Sequence, residues 1–431
     1  MKILHYTLGF PPERTGGLVK YSLDLINNQI EQGHEIVMLY PGRINLLRKN
    51  PYFKFGKRQN INYAELINSL PLPLIGNVKK PQDFMKHAKI DMFIDFLETV
   101  KPDVIHIHTL MGIYSEFMEA AKSLNIKIVF TTHDYFGISP HPKMYLDGHD
   151  FVDDKEYDLW NNIRPYGSNT IKLRISQLSM YPKLRKLAKN IKNSSVSSDD
   201  TSERKNWSEK RDDDFQELKN YYFNMLKYID VIHFNSSVSK SVYEKLLPNM
   251  DWKTATLPVS SQNVEVTGEI NLNSHPVESI AYIGPYTKEK GFFEFLKFAN
   301  DFIVKGSNNK AFIMGDSGSV NVSGINNLGP YDKKSLIKNL ELVDLVILPS
   351  RWHETFGLIA LEVLSTGTKV VVTTNMGVSD VLPEYMKINN IKEINIERIS
   401  EYNFNVDILS MEKHEEKIIE IYNDIRIIEN M

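Results

Sequence analysis

Two successive α/β units, each a mainly parallel sheet with helices on both faces, facing each other across a cleft, are what the sequence predicts. Short apolar runs alternate with longer amphipathic stretches, and the second half of the chain repeats the layout of the first. At 431 residues the chain is also too long for one ordinary core.

The elements follow in order. Lys2–Leu8 reads as a strand, Gly17–Gln32 as a helix and Glu35–Tyr40 as the next strand. Asp103–His108 and Lys127–Thr132, short and rich in Val and Ile, are strands preceded by the helical stretches Phe84–Val100 and Ser115–Leu124. From about Pro140 to Asn220 the chain turns polar and aromatic, without clear strands. Met180–Lys192 is predicted to be a basic amphipathic helix, and Asn193–Asp214, rich in Ser, Asp, Lys and Arg, a mobile surface loop. Tyr228–Asn235 resumes the strands.

In the second half, Ser279–Gly284, Ala311–Gly315, Val343–Pro349 and Lys369–Thr374 read as strands, with helices at Gly291–Lys305 and Phe356–Thr366. Met411–Ile428 reads as a charged helix. The expected division is a first domain at 1–265 with an insertion at about 140–225, a second domain at 266–410, and a helix at 411–431 crossing back to the first.

Composition excludes several classes. Lys plus Arg total 51 against 54 Asp plus Glu, a net charge of −3, so the basic excess of a nucleic-acid binder is missing. The absence of cysteine rules out disulfides, thiolate zinc sites and cysteine nucleophiles. The opening Met1–Leu8 is too short for a signal-peptide core, and no apolar run nears the roughly 20 residues of a membrane span. A cytoplasmic protein is expected. The basic helix is either a peripheral contact with anionic lipid or a solvated charged face.

Five local features bear on chemistry. Gly16-Gly17, between the first strand and helix, permits close approach of backbone N–H groups to an anion, or is an ordinary loop. His133-Asp134 follows a strand end, where ligands of open α/β sheets bind, and His106 and His108 end the preceding strand. Those histidines either meet a ligand or bond locally. Lys290-Gly291 opens a helix, where the lysine either faces a diphosphate as a point charge or is solvated.

Glu354-Thr-Phe-Gly-Leu-Ile-Ala-Leu-Glu362 places two carboxylates eight residues apart, roughly 12 Å if all helical, which suits two ends of one elongated ligand rather than one metal. The N–H groups of Thr355–Leu358 are available to a phosphate. Glu362, among Leu358, Ile359, Leu361 and Val363, needs a polar partner. Gly315-Asp316-Ser317-Gly318 and Gly377 read as turns after strands.

Together these pieces resemble the retaining glycosyltransferases of family 4, which have the GT-B fold. The resemblance covers nearly the whole chain and centres on Pro349-Ser-Arg-Trp-His-Glu-Thr-Phe-Gly-Leu-Ile-Ala-Leu-Glu362, the family's E-x7-E element. Asp103-Val-Ile-His-Ile-His, Thr131-Thr-His-Asp, Tyr282-Ile-Gly-Pro-Tyr-Thr-Lys-Glu-Lys-Gly291 and Met314-Gly-Asp follow in family order.

The resemblance implies that Glu362 holds the nucleotide's ribose and Glu354 faces hydroxyls of the donor sugar. Thr355, Phe356, Gly357 and Leu358 would line the sugar-diphosphate site. Lys290 would neutralise the leaving diphosphate, with Gly16-Gly17 contacting it from the other domain and His133 near the donor sugar. No metal or cofactor is implied, only a UDP- or GDP-linked sugar as co-substrate and a glycan, lipid-linked or protein-linked acceptor, in cell-surface polysaccharide synthesis. Pro285 stands where the family usually has Arg, and Lys288, Arg351 or Arg14 are candidate replacements. The competing readings are a GT-B subunit that binds a partner without chemistry, and another GT-B reaction such as epimerisation or phosphorolysis.

Overall fold

A computed structural model of the chain describes residues 1–74, 77–146, 148–154, 159–160, 167–175, 177–178, 213–248, 250, 252–315 and 322–423. The expected basic helix Met180–Lys192, nearly all of the polar loop and the turn residues 316–318 lie outside them.

The first unit is built on β1 Lys2–Tyr6, β2 Glu35–Pro41, β3 Tyr52–Arg58, β4 Ile61–Ile67, β5 Val104–Ile107, β6 Lys127–Thr131, β7 Val231–Phe234 and β8 Lys253–Thr256. They form one sheet in the order β8-β7-β6-β5-β1-β2-β4-β3. All pairings are parallel except β3 with β4, an antiparallel edge hairpin. The central strands are buried almost throughout because helices cover both faces. The flanking helices are α1 Gly17–Glu31, α2 Ile90–Val100, α3 Ser115–Ser123, α4 Asp213–Leu226 and α5 Ser237–Leu246.

The second unit contributes β9 Gly268–Leu272, β10 Ser279–Gly284, β11 Lys310–Gly315, β12 Ile325–Gly329, β13 Leu345–Leu348, β14 Lys369–Thr373, β15 Lys387–Ile388 and β16 Phe404–Ile408. Six form a parallel sheet in the order β12-β11-β10-β13-β14-β15, while β9 pairs antiparallel with β16. Its helices include α6 Phe292–Lys305, α7 Lys333–Leu340 and α8 Leu358–Leu364.

The last described helix, α9 Met411–Tyr422, packs against α1. Met411, Ile418, Ile421 and Tyr422 of α9 join Tyr21, Leu25 and Ile26 of α1 in one apolar cluster, which continues into the second sheet. The two units therefore share a core along this face. Lys127 caps the helix: its Nζ donates to the Tyr422 carbonyl at 2.7 Å and to that of Ile421 at 3.2 Å, a favourable place for a cation.

Sequence and structure differ in two informative places. The β3–β4 hairpin is missing from the sequence reading; its outer strand is half exposed and held by aromatic contact, with Phe53 stacked on Phe96 at 3.9 Å. The helix expected at Phe356–Thr366 spans only Leu358–Leu364. Gly357 sits at φ 106° and ψ 58°, a left-handed conformation that no helix interior accepts, so Phe356 and Thr355 remain outside.

Gly291 has a different constraint. It caps α6 at φ 70°, and a Cβ there would lie 1.8 Å from the Pro349 carbonyl oxygen. That contact presses the start of α6 against the end of β13. Gly291→Ala is expected to lower stability by more than about 2 kcal/mol, since it adds a backbone clash to left-handed strain. Chemical unfolding of the two proteins side by side measures it; an unchanged midpoint would refute the close-packing argument.

Candidate active site

The segment 349–362 leaves β13 and runs along the seam between the two units. Its backbone is pinned on the second-unit side: Glu354 N–H donates to the Asn375 carbonyl, Gly377 N–H to that of Glu354, and Val378 N–H to that of Phe356, at 2.8–2.9 Å. From the first unit, Ser236 Oγ donates to the Thr355 carbonyl at 2.6 Å. In return Thr355 Oγ1 donates to the His133 carbonyl at 3.1 Å. Thr355 and His133, far apart in sequence, are thus direct neighbours.

Glu354 and Lys290 form an ion pair of 2.6 Å, with Lys290 Nζ also 5.3 Å from the centre of the Trp352 ring. The second carboxylate oxygen of Glu354, Oε2, is buried without a partner among the described residues. At the other end of the segment, Glu362 is buried and accepts from Ser261 Oγ at 2.8 Å. Lys20 of α1 reaches the same carboxylate at 3.3 Å while donating to Asp24 and Ser261 at 2.7 Å each. The partner Glu362 requires thus comes from across the cleft.

Gly16 and Gly17 line a cavity of about 410 Å³ together with Lys20, Tyr331, Leu358 and Glu362. This brings the glycine pair and the second glutamate of the E-x7-E element into one space. Lys290 and Glu354 are not among its lining residues; they mark a separate station along the same segment. A second cavity, of about 250 Å³, lies over the first sheet and is lined by Arg14, Tyr40, Arg43, Arg58, Tyr63 and Glu65 among others. Arg43 grips Glu65 with two hydrogen bonds of 2.8 and 2.7 Å.

The three candidate replacements for the arginine missing at Pro285 have different surroundings. Arg14 lines the second cavity, Arg351 pairs with Glu294 at 3.2 Å, and Lys288 is exposed. Lys143 of the first unit reaches Glu289, next to Lys290, at 3.1 Å, and a further cation that crosses the cleft is Lys20. It went unnoticed in the sequence, although it stands one turn into the helix opened by Gly16-Gly17 and four residues before Asp24, the spacing of a helical ion pair.

Of the three histidines singled out in the sequence, only His133 is partly accessible; His106 and His108 are fully buried. His5, His106 and His108 have ring nitrogens within 4.8 Å of one another, a spacing that would suit a metal ion. Each of these rings, however, already has both nitrogens in hydrogen bonds. Asp134 is buried behind His133, accepting from Phe136 N–H at 2.8 Å and Thr109 Oγ1 at 3.0 Å. Gly315 closes β11, and the aspartate after it lies outside the described residues.

Comparison with known proteins identifies the family and the fold. The profile of Glycosyltransferase Family 4 matches residues 15–170, and that of Family 4 Glycosyltransferase in conflict systems matches residues 328–425, together more than half the chain. The chain belongs to glycosyltransferase family 4. Its fold is GT-B, and its activity class is glycosyl transfer.

Against individual proteins, similarity of sequence is low and similarity of fold extends end to end. A Klebsiella pneumoniae protein described as an uncharacterized 42.6 kDa protein in the cps region is 23% identical over 406 residues, 91% of each chain. Sucrose-phosphate synthase from Thermosynechococcus elongatus superposes with a TM-score of 0.51 at 12% identity, covering 98% of this chain and 94% of that one. An E. coli structure described as trehalose-6-phosphate bound with UDP-2-fluoro glucose gives 0.52 at 12% identity, covering 99% and 96%. The trehalose-phosphate synthase of Burkholderia xenovorans, in complex with glucose-6-phosphate, gives 0.52 at 10% identity, covering 98% and 96%.

The site's electrostatics make a prediction for this family member. Burial pushes the imidazoles of His5 and His233 down to about 4 and that of His133 to about 3, and holds His106, His108 and His414 well below the ordinary range. Unfolding lets these rings take up protons below about 6.5, so their neutral burial favours the fold less as pH falls through that value. Asp134 and Glu415, both pushed up to about 7 by burial, act oppositely: their contribution is greatest in acid and is lost as pH rises toward 7. Six imidazoles outweigh two carboxyls. Thermal melts are expected to show a progressive loss of stability as pH is lowered from about 6.5 to 5; a flat profile would contradict the neutral, buried state of the histidines.

Proposed function

We propose that this glycosyltransferase moves a sugar from a UDP- or GDP-linked donor to a glycan, lipid-linked or protein-linked acceptor with retention of anomeric configuration. The observation that carries this reading is the shared cavity, in which the Gly16-Gly17 turn of one unit faces Glu362 of the other. A nucleotide diphosphate suits that space: carboxylate and Lys20 for ribose hydroxyls and phosphate, and backbone N–H groups at the start of α1 for the anion.

Lys290 and Glu354 are the second station. Lys290 would stabilise the departing diphosphate, and the partnerless Oε2 of Glu354 would accept a donor-sugar hydroxyl. The step is balanced without a carboxylate pair of glycosidase type. The bond from the anomeric carbon to the phosphate oxygen breaks, the bond to the acceptor oxygen forms on the same face, and the acceptor's proton passes to the leaving phosphate. Protein cations and backbone dipoles supply the charge stabilisation, so no metal is invoked.

The acceptor is assigned to the arginine-lined cavity of the first unit. The cps-region relative supports a cell-surface polysaccharide as the product. Among the described residues no helix is long and apolar enough to cross a membrane, which suits work in the cytoplasm; contact with lipid through the basic segment is part of the same proposal.

Two measurements test the reading. In a thermal-shift panel of UDP, GDP, ADP and dTDP sugars, one donor should raise the melting temperature, and Glu362→Ala should weaken its binding by about tenfold or more. A flat panel would overturn the donor assignment and favour the partner-binding subunit. For the donor found, Lys290→Met should lower kcat by about 10²–10³ while changing donor affinity less, as for a group that acts mainly in the transition state. Unimpaired turnover would remove Lys290 from the mechanism.

A further inference from the structure

Polar side chains on adjacent strands of the first sheet form a row. His5 of β1 is directly paired in register with His106 of β5, and Thr131 of β6 with His233 of β7. His106 lies opposite Val129, so Thr131, two residues on, shares its face. His108, two residues beyond His106, extends the row toward His133. Tyr422 of α9 and Gln29 of α1 close over it.

The hydrogen bonds among these groups form one unbroken chain whose direction is set at one end. The Leu257 carbonyl can only accept, so His233 Nε2 carries the proton it shares with that oxygen at 2.7 Å. His233 is neutral, so its Nδ1 accepts, and Thr131 Oγ1 must donate to it at 2.9 Å. A hydroxyl has one proton, so Thr131 accepts from His106 Nε2 at 2.6 Å. His106 Nδ1 is then bare and accepts from the Tyr422 hydroxyl at 2.6 Å.

The Tyr422 oxygen in turn accepts from Gln29 Nε2 at 3.4 Å, which turns Gln29 Oε1 toward His5. His5 Nε2 donates to that oxygen at 2.7 Å, and its Nδ1 accepts from His108 Nε2 at 3.0 Å. His108 Nδ1 accepts from His133 Nε2 at 3.3 Å. Nothing in this sequence is a free choice: the carbonyl of Leu257 dictates the proton position on every ring up to His133.

We infer that this chain is a tautomer lock: it holds the proton of His133, a residue whose backbone carbonyl meets Thr355 at the seam, on Nε2 and leaves Nδ1 as a bare hydrogen-bond acceptor. His108, His5, Gln29 and Tyr422 act as positioning residues. Because Tyr422 belongs to α9, the helix that returns from the second unit helps define the chemistry of a residue on the first. Among the described residues no group bonds the Nδ1 of His133, and the residue is partly accessible, unlike His5, His106, His108 and His233 of the row. Only the placement of His133 beside the donor is taken from the proposed function.

The test needs neither donor nor turnover, so failure of the lock and failure of the functional reading are separate results. The full chain is labelled with ¹⁵N-histidine, and the His133 signals are identified by their loss in His133→Gln. At pH 7.5 the native protein should show a protonated Nε2 and an unprotonated Nδ1 for His133. A proton on Nδ1, or a ring averaged between tautomers, overturns the proposal.

Gln29 is the point at which the chain can be turned round. Gln29→Lys offers donors only, so His5 Nε2 must accept, and each ring beyond it reverses until His133 carries its proton on Nδ1. Gln29→Glu keeps an acceptor for His5 and should hold the native tautomer, although it too introduces a charge. If both charged variants fail to fold, Gln29→Met, close in shape and unable to hydrogen-bond, should leave His133 distributed between the two forms. The same single tautomer in the folded Lys or Met variant would overturn the lock, since a merely structural role for Gln29 predicts no change in the His133 spectrum.

Discussion

Polar side chains set inside a parallel sheet have to find partners away from water, and that requirement shapes the whole molecule. His5, His106, Thr131 and His233 lie on four neighbouring strands, all fully buried. A buried polar group left unpaired costs about 1–3 kcal/mol, so a row of four without partners would consume much of a domain's net stability. Gln29 supplies one partner from α1 and Tyr422 another from α9. The return of α9 is therefore more than an apolar patch finding cover: it completes hydrogen bonding that the strands cannot complete among themselves.

Because α9 follows the second unit in the chain, its docking also fixes where the first and second sheets meet. The seam is then built from short polar links. His353 Nδ1 meets Asp150 at 2.7 Å, Lys143 meets Glu289 at 3.1 Å, and Gln262 N–H meets Asp24 at 3.0 Å. Such links break and reform with little cost in water, unlike the apolar cluster along α1 and α9. The arrangement places firm packing at one edge of the cleft and exchangeable polar contacts across its mouth, as the proposed function would require of a cleft that opens and closes over a donor.

Much of the fold was legible in the sequence because buried parallel strands must be short and apolar and the intervening helices amphipathic. Ser279–Gly284 has the same bounds in both, and most other strands differ only at their ends. The hairpin Tyr52–Arg58 with Ile61–Ile67 was not legible, since its mixed Lys, Phe and Arg content gives neither a continuous apolar run nor strict alternation. In the candidate site, the two glutamates and Gly16-Gly17 could be singled out by spacing and place in the chain, while their roles came only with the family resemblance. Lys20, Ser261 and Tyr331 could not, because each acts across the cleft and nothing local marks it. The row of histidines was hidden most deeply: its partners lie at positions 29 and 422, and only the strand register shows that they meet.

Three lysines at the cleft are paired with carboxylates, Lys290 with Glu354, Lys20 with Glu362 and Lys143 with Glu289. A lysine held by a carboxylate keeps its charge and its orientation, so an arriving diphosphate meets a cation already in place rather than a long side chain that must first be ordered. On the proposed function the same pairing would free the carboxylates of Glu362 and Glu354: as phosphate takes over the ammonium, each would be released toward a hydroxyl donor, one from ribose and one from the transferred sugar. The eight-residue spacing then has a physical meaning. It sets two lysine–glutamate pairs at separate places along one segment, and Gly357 between them bends the backbone so that the segment does not run as one straight helix from one to the other.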